Sequence, residues 1–176
     1  MPHVSMHSSL SKTATPHSML RRHEQFCLAT QVHVRRGDKE IEYPHSPDKA
    51  YEDGAAALQA ANPGLDRHIF LSTEDETVIR YFVDNTTWEV EYANTARKPD
   101  PGKSTVAYAR ELGPPTEMLQ SLVNLELALE TSAWVGTLSS NWCRLIDEFR
   151  STIGCRARSP FVDVAQVNAT ELDYYF

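Results

Sequence analysis

The sequence contains no run of eighteen apolar residues, so no segment of it reads as a transmembrane helix. It also lacks the apolar stretch near the start that a secretory signal peptide needs. Residues 1–24 are instead rich in Ser, His and Thr, and are expected to form a disordered tail outside a domain spanning residues 25–176. Cysteine is scarce. Cys27, Cys143 and Cys155 make neither a CxxC pair nor a Cys/His metal pattern. Cys143 and Cys155 could pair in an oxidising compartment, and their spacing does not decide it. Neither G-x-G-x-x-G nor G-x-x-x-x-G-K-[ST] occurs, which disfavours a dinucleotide dehydrogenase and a P-loop NTPase. A basic excess is missing too. With 17 Lys and Arg against 24 Asp and Glu, the net charge of −7 argues against a nucleic-acid-binding domain but leaves room for a local basic pocket.

Segments with strand and helix character alternate along the remainder. Leu28 to Arg35 reads as a strand, with Leu28, Thr30, Val32 and Val34 on one face. Ser46-Pro47 reads as a helix start, Ser capping and Pro leading, and Asn62-Pro63-Gly64 as its stop. His68 to Ser72 is a short apolar strand. Thr73-Glu74-Asp75-Glu76 has a capping-box pattern that opens a helix to about Asp84. Trp88 to Tyr92 reads as a third strand and residues 93–115 as a long loop, a length that is often functional. A helix capped by Thr116 should run to Glu130, presenting Leu119, Leu122, Val123 and Leu129. Ala133 to Thr137 is a fourth strand. Ser139 or Ser140 caps a helix whose apolar face is Trp142, Leu145, Ile146 and Phe149, and Pro160 to Val164 is a fifth strand.

This alternation predicts an α/β fold, a Rossmann-like doubly wound parallel sheet with helices on both faces. Such sheets bind ligands beyond the carboxyl ends of their strands. The rule singles out Arg35–Lys39, Ser72–Asp75 and Thr137–Asn141, which should share one edge. Val32 to Lys39 (VHVRRGDK) places two guanidiniums and a Lys at a strand end, and the planar fork of Arg matches phosphate oxygens. The same residues also suit a structural Arg–Asp ion pair closing a turn, and this segment alone leaves both open. Thr137 to Asn141 offers hydroxyls and helix N–H groups that suit a phosphate, or that simply cap a helix. Glu40 and Glu42 follow the basic cluster and could take a proton from an acceptor hydroxyl. Two N-x-[ST] sequons, at Asn85 and Asn168, are compatible with a secretory route.

Four segments, in order, resemble the α-1,6-fucosyltransferase family, which includes the core fucosyltransferase of N-glycans and related algal and plant sequences. They are His33-Val34-Arg35-Arg36-Gly37-Asp38-Lys39, Phe70 to Asp75, Val135 to Arg144, and Glu171-Leu172-Asp173-Tyr174-Tyr175-Phe176. The resemblance covers about residues 27–176. It implies the C-terminal lobe of a GT-B-type glycosyltransferase, a membrane-anchored Golgi enzyme acting in protein N-glycosylation. In that family Arg35 would contact the β-phosphate of GDP-fucose, with His33 against the nucleotide and Arg36 supporting. Asp38 and Lys39 would order the pocket, Lys39 acting with Arg35 and Glu42 in catalysis. Glu42, one gap from the family's position, would be the general base. Ser139 and Ser140 would bind diphosphate or ribose. Asp75 and Asn141 lie in matched segments and join the donor-binding set.

The reaction so implied is inverting, with GDP-fucose as donor, a glycan or glycoprotein as acceptor, and no metal or other cofactor. Two departures stand out. Asn124 occupies the place of an Asp that reads guanine in the family, and Gly136 replaces a Cys, which removes one family disulfide. The family fold has two lobes, and the N-terminal lobe, stem and anchor are not in this chain. It is therefore expected to be a fragment or a stand-alone domain. The alternative to an enzyme lobe is a non-catalytic module that binds GDP or a nucleotide sugar.

Overall fold

The structure, a computed structural model, describes residues 27–36, 44–93, 110–111, 113–152 and 158–165. Its elements run β1 (Thr30–Val34), α1 (Asp48–Ala61), β2 (His68–Thr73), α2 (Glu76–Asn85), β3 (Glu89–Glu91), α3 (Pro114–Glu130), β4 (Ala133–Gly136), α4 (Asn141–Thr152) and β5 (Phe161–Asp163). The five strands form one sheet in the order β3-β2-β1-β4-β5. All four pairings are parallel. The chain thus winds outward from β1 through β2 to β3, then crosses back to lay β4 on the other side of β1. That reversal makes the gap between β1 and β4 the topological switch point, where open parallel sheets leave a crevice at their carboxyl ends.

Helices cover both faces. On one, Val32, Val34, Ile69, Leu71, Val135 and Val162 of the sheet pack against Tyr51, Ala55 and Leu58 of α1 and Val78, Ile79 and Phe82 of α2. Each fully buried side chain of this kind contributes roughly 1.5–3 kcal/mol of transfer free energy. Helix α1 lies close on the sheet, since a Cβ at Gly54 would meet Val135 Cγ1 at 3.0 Å. On the other face Phe70 packs against Leu125 and Ala128 of α3 and Ile146 of α4. Trp134 stacks on Phe161 with ring centroids 3.9 Å apart.

Arg150, buried near the end of α4, ties that helix to the end of α3. Its guanidinium donates to the Ala128 and Thr131 carbonyls at 2.9 and 2.7 Å and to the Thr131 hydroxyl at 3.1 Å. Carbonyls at a helix end have no intrahelical donors, so a cation there meets both their hydrogen bonds and the dipole. Burial of an Arg is costly without such partners.

The sequence expectations need several local corrections. The first strand is shorter than Leu28–Arg35, and Leu28 is exposed. Every residue of β1 is buried, because the strand is central and covered on both faces. Pro47, not Ser46, holds the cap position of α1, and its carbonyl accepts the Ala50 N–H at 2.9 Å. Thr73 closes β2 instead of capping a helix. Asp75 caps α2 and accepts from Thr77 N–H at 2.7 Å.

Helix α3 starts at Pro114, two residues before the expected cap. Its N-cap is Gly113, whose φ of 92° suits glycine, and the Gly113 carbonyl accepts from Thr116 and Glu117 at 3.1 Å. Leu119, Leu122 and Val123 are exposed, together with Met118. The stripe that dips into the core is Leu125 and Ala128. The third, fourth and fifth strands are each shorter than expected at their ends, spanning 89–91, 133–136 and 161–163.

Candidate functional site

The parallel register sets the site. His33 pairs with Ser72, Val34 with Thr73, and Val32 with both Leu71 and Val135. The ends of β1, β2 and β4 therefore share one edge, as expected. Arg35 and Arg36 leave β1 there, Glu74 and Asp75 leave β2, and the Thr137–Asn141 turn leaves β4.

On the β1–β2 side each arginine has a carboxylate partner. Arg35 Nη1 donates to Glu74 Oε1, and the same oxygen accepts the Arg36 backbone N–H at 3.0 Å. Arg36 Nη2 pairs with Asp48 Oδ1 in the first turn of α1, and its guanidinium lies 5.7 Å from the centroid of the Tyr51 ring. The Arg–Asp turn closure left open by the sequence involves Asp38, which lies outside the described residues; the partners seen are Glu74 and Asp48. Both pairs are largely shielded, with the four side chains between 12% and 24% exposed.

His33 is 6% exposed, and neither ring nitrogen has a hydrogen-bond partner among the described residues. Burial lowers its pKa from 6.5 to about 4. The Glu74 carboxylate opposes that shift and the Arg35 guanidinium adds to it. The ring is therefore neutral at physiological pH, with one N–H donor and one acceptor. Arg36 Nη1 is likewise buried without a partner among the described residues. Buried donors left open in this way suit a polar ligand or bound water.

The β4–α4 side carries hydroxyls and main-chain groups, with one guanidinium, Arg144, bracing the turn. Thr137 and Ser139 join hydroxyls at 2.8 Å, and Ser140 N–H donates to the Thr137 carbonyl at 3.0 Å. The Ser140 carbonyl accepts Arg144 N–H at 3.1 Å, which makes Ser140 the cap of α4. Arg144 folds back on the turn, donating to Leu138 O at 2.7 Å and to Asn141 Oδ1. Cys143 Sγ accepts the Thr137 N–H at 3.4 Å, and burial pushes its thiol up to about 12. The first N–H groups of α4 have no intrahelical acceptors and carry the positive end of its dipole.

Gly136 is held close by its neighbours. A Cβ there would lie 2.8 Å from Cys143 Sγ and 3.0 Å from the Trp134 ring. The first distance approaches the Cβ···Sγ separation of about 3 Å across a disulfide. A Cys at position 136 would therefore sit beside Cys143.

Of the residues expected at the site, His33, Arg35, Arg36, Asp75, Ser139, Ser140 and Asn141 lie along this edge. The Asp75 carboxylate is engaged in capping α2, through Thr77 N–H and its hydroxyl, each at 2.7 Å. Asn124 lies within α3, and its amide donates to the Gln120 carbonyl at 2.9 Å. Asp38, Lys39 and Glu42 lie outside the described residues, as do Cys155 and the Glu171–Phe176 segment.

Sequence reasoning missed the pairing of Glu74 with Arg35. The acidic pair after β2 could have suggested it once β1 and β2 were taken as adjacent parallel strands. Asp48 is an acidic residue in a helix first turn, and nothing local marks it as the partner of Arg36.

Among the described residues no group of three or more His, Cys, Asp or Glu side chains could hold a metal ion. No helix among them is long and apolar enough to cross a membrane. Compared with known proteins, no family model matches the chain, and no curated protein matches it significantly.

Proposed function

We propose that this chain is the donor-binding lobe of a GT-B-type glycosyltransferase. In this reading it is an inverting, metal-independent fucosyltransferase of the α-1,6 kind that uses GDP-fucose. One observation carries the reading. His33, Arg35 and Arg36 at the end of β1 and the Thr137–Asn141 turn after β4 flank the same switch point of the sheet, and His33 and Arg36 keep buried polar atoms without partners among the described residues.

The chemistry follows from the charge that must be managed. When the bond from fucose to the β-phosphate breaks, negative charge accumulates on the departing GDP. Arg35, with Arg36 and Lys39, would stabilise that charge, and the first N–H groups of α4 with the Ser139 and Ser140 hydroxyls would add neutral donors. Neutral His33 would hydrogen-bond the nucleotide without adding a charge. Glu42 would take the proton from the acceptor hydroxyl as it attacks the opposite face of the anomeric carbon, which inverts the centre. The acceptor would be a glycan on a glycoprotein in the Golgi lumen.

Calorimetry with GDP-fucose, comparing wild type with Arg35→Ala, tests the donor assignment. Weaker binding in the variant is expected, and equal affinity would remove the phosphate role. Glu42→Gln should bind GDP-fucose normally yet lose hydrolysis or transfer. Unchanged turnover would exclude Glu42 as the base.

A non-catalytic GDP-binding module is the second reading. It is favoured by the pairing of both arginines with carboxylates, which leaves less net positive charge to stabilise a departing diphosphate. It predicts GDP binding with no transfer at any enzyme concentration.

A further inference from the structure

The Arg35–Glu74 contact joins residues 39 positions apart, each just past the end of one of two neighbouring strands. Glu74 holds more than a guanidinium. Its Oε1 also accepts the Arg36 backbone N–H at 3.0 Å, just where β1 has run out of strand partners. The glutamate is itself fixed. It sits between the last residue of β2 and Asp75, whose side chain caps α2. A side chain anchored by a main-chain bond cannot swing away without leaving that N–H unpaired. The carboxylate is thus placed to stay when a ligand arrives, and to hold the guanidinium plane while it does.

We propose that Glu74 is a positioning residue for the diphosphate subsite. It fixes the Arg35 side chain and the Arg36 main chain so that the arginine fork faces the crevice. This rests on the donor-binding reading above. Glu74 itself touches no substrate. Its effect runs through Arg35.

Charge and geometry predict opposite signs, which makes the idea testable. A carboxylate beside an anion site repels the anion, so on charge alone its removal tightens GDP binding. If Glu74 positions Arg35, removal weakens binding, because a misdirected guanidinium loses a charge-assisted hydrogen bond whose value depends on geometry.

Calorimetry would compare GDP with GMP, which lacks the β-phosphate, in wild type, Glu74→Gln, Glu74→Ala, Arg35→Ala and the double variant Arg35→Ala/Glu74→Ala. The glutamine variant keeps shape and the acceptor for Arg36 N–H, so it remains informative should the alanine variant fail to fold. In Glu74→Gln, GDP affinity is expected to fall roughly tenfold, the scale of one charge-assisted hydrogen bond, with GMP affinity little changed. In the double variant GDP should bind no more weakly than in Arg35→Ala alone, the non-additivity expected of two groups acting as one.

Unchanged or tighter GDP binding in Glu74→Gln overturns the positioning role while leaving the donor site standing, provided Arg35→Ala still weakens GDP. Fully additive losses in the double variant also overturn it. Absence of any GDP-over-GMP preference in wild type overturns the donor-binding reading and this inference together.

Discussion

The two rims of the switch-point crevice solve the same problem in different ways. The β1–β2 rim relies on formal charge, and its arginines are held by Glu74 and Asp48, which come from other elements. The β4–α4 rim offers neutral hydroxyls and helix N–H groups, and its turn, braced by the Arg144 guanidinium, is held by contacts within eight residues, from Thr137 to Arg144. The charged rim therefore depends on the assembled sheet, whereas the neutral rim is nearly a local structure. Charge gives strength but must be aimed, and a helix terminus is aimed by its own backbone.

Acid should break the charged rim first. The folded-state pKa of His33 is depressed to about 4, so between 6.5 and 4 the unfolded chain binds the proton more readily than the fold does. Stability should then be lost as pH falls through that window, by up to about 3 kcal/mol for this group alone. Melting temperatures measured from pH 7 to pH 4 should fall more steeply for wild type than for His33→Gln. Parallel curves would show that His33 does not carry the effect.

Removing the Asp48 carboxylate comes next. Asp48→Ala leaves the shielded Arg36 guanidinium short of its partner and should cost about 2 kcal/mol in denaturant unfolding. Arg36→Met in the same background should recover part of that loss. No recovery would mean that the ion pair is not what the mutation breaks.

The neutral rim is more sensitive to shape. Gly136→Ala forces a methyl against Cys143 and Trp134 and should cost roughly 1–2 kcal/mol. Gly136→Cys should instead cross-link to Cys143 under oxidising conditions, seen as a loss of two hydrogens in the mass of the bridged peptide. The smallest effect is expected from Ser139→Ala, a loss of about fivefold in GDP affinity with an unchanged salt dependence. Arg35→Ala, by contrast, should flatten the salt dependence. A salt slope altered equally by both variants would erase the distinction between the rims.

The same contrast governs what could be seen in the sequence. Strand–helix alternation was legible because hydrophobic runs such as His68–Ser72 and turn signals such as Asn62-Pro63-Gly64 act locally. The shared edge followed from parallel topology. The Ser140 cap was legible for the same local reason. The partners of Arg35 and Arg36 were not, because they depend on which strands and helices lie side by side. Helix α3 carries exposed apolar residues at Leu119, Leu122 and Val123. Periodicity finds an apolar stripe, but packing chooses which part of it is covered, and here it chose Leu125 and Ala128. The Arg150 cap on α3 was invisible for the reason that hid Glu74, since both act between elements brought together only by the fold.

In the proposed reading one anion site spans both rims. Amide proton–nitrogen correlation spectra recorded during a GDP titration test it most directly. Shifts are expected at Arg36 on one rim and at Ser140, Asn141 and Trp142 on the other, with the opposite edge of the sheet, at Asp66 and Glu89, unmoved. Shifts confined to a single rim, or centred on that opposite edge, would contradict it.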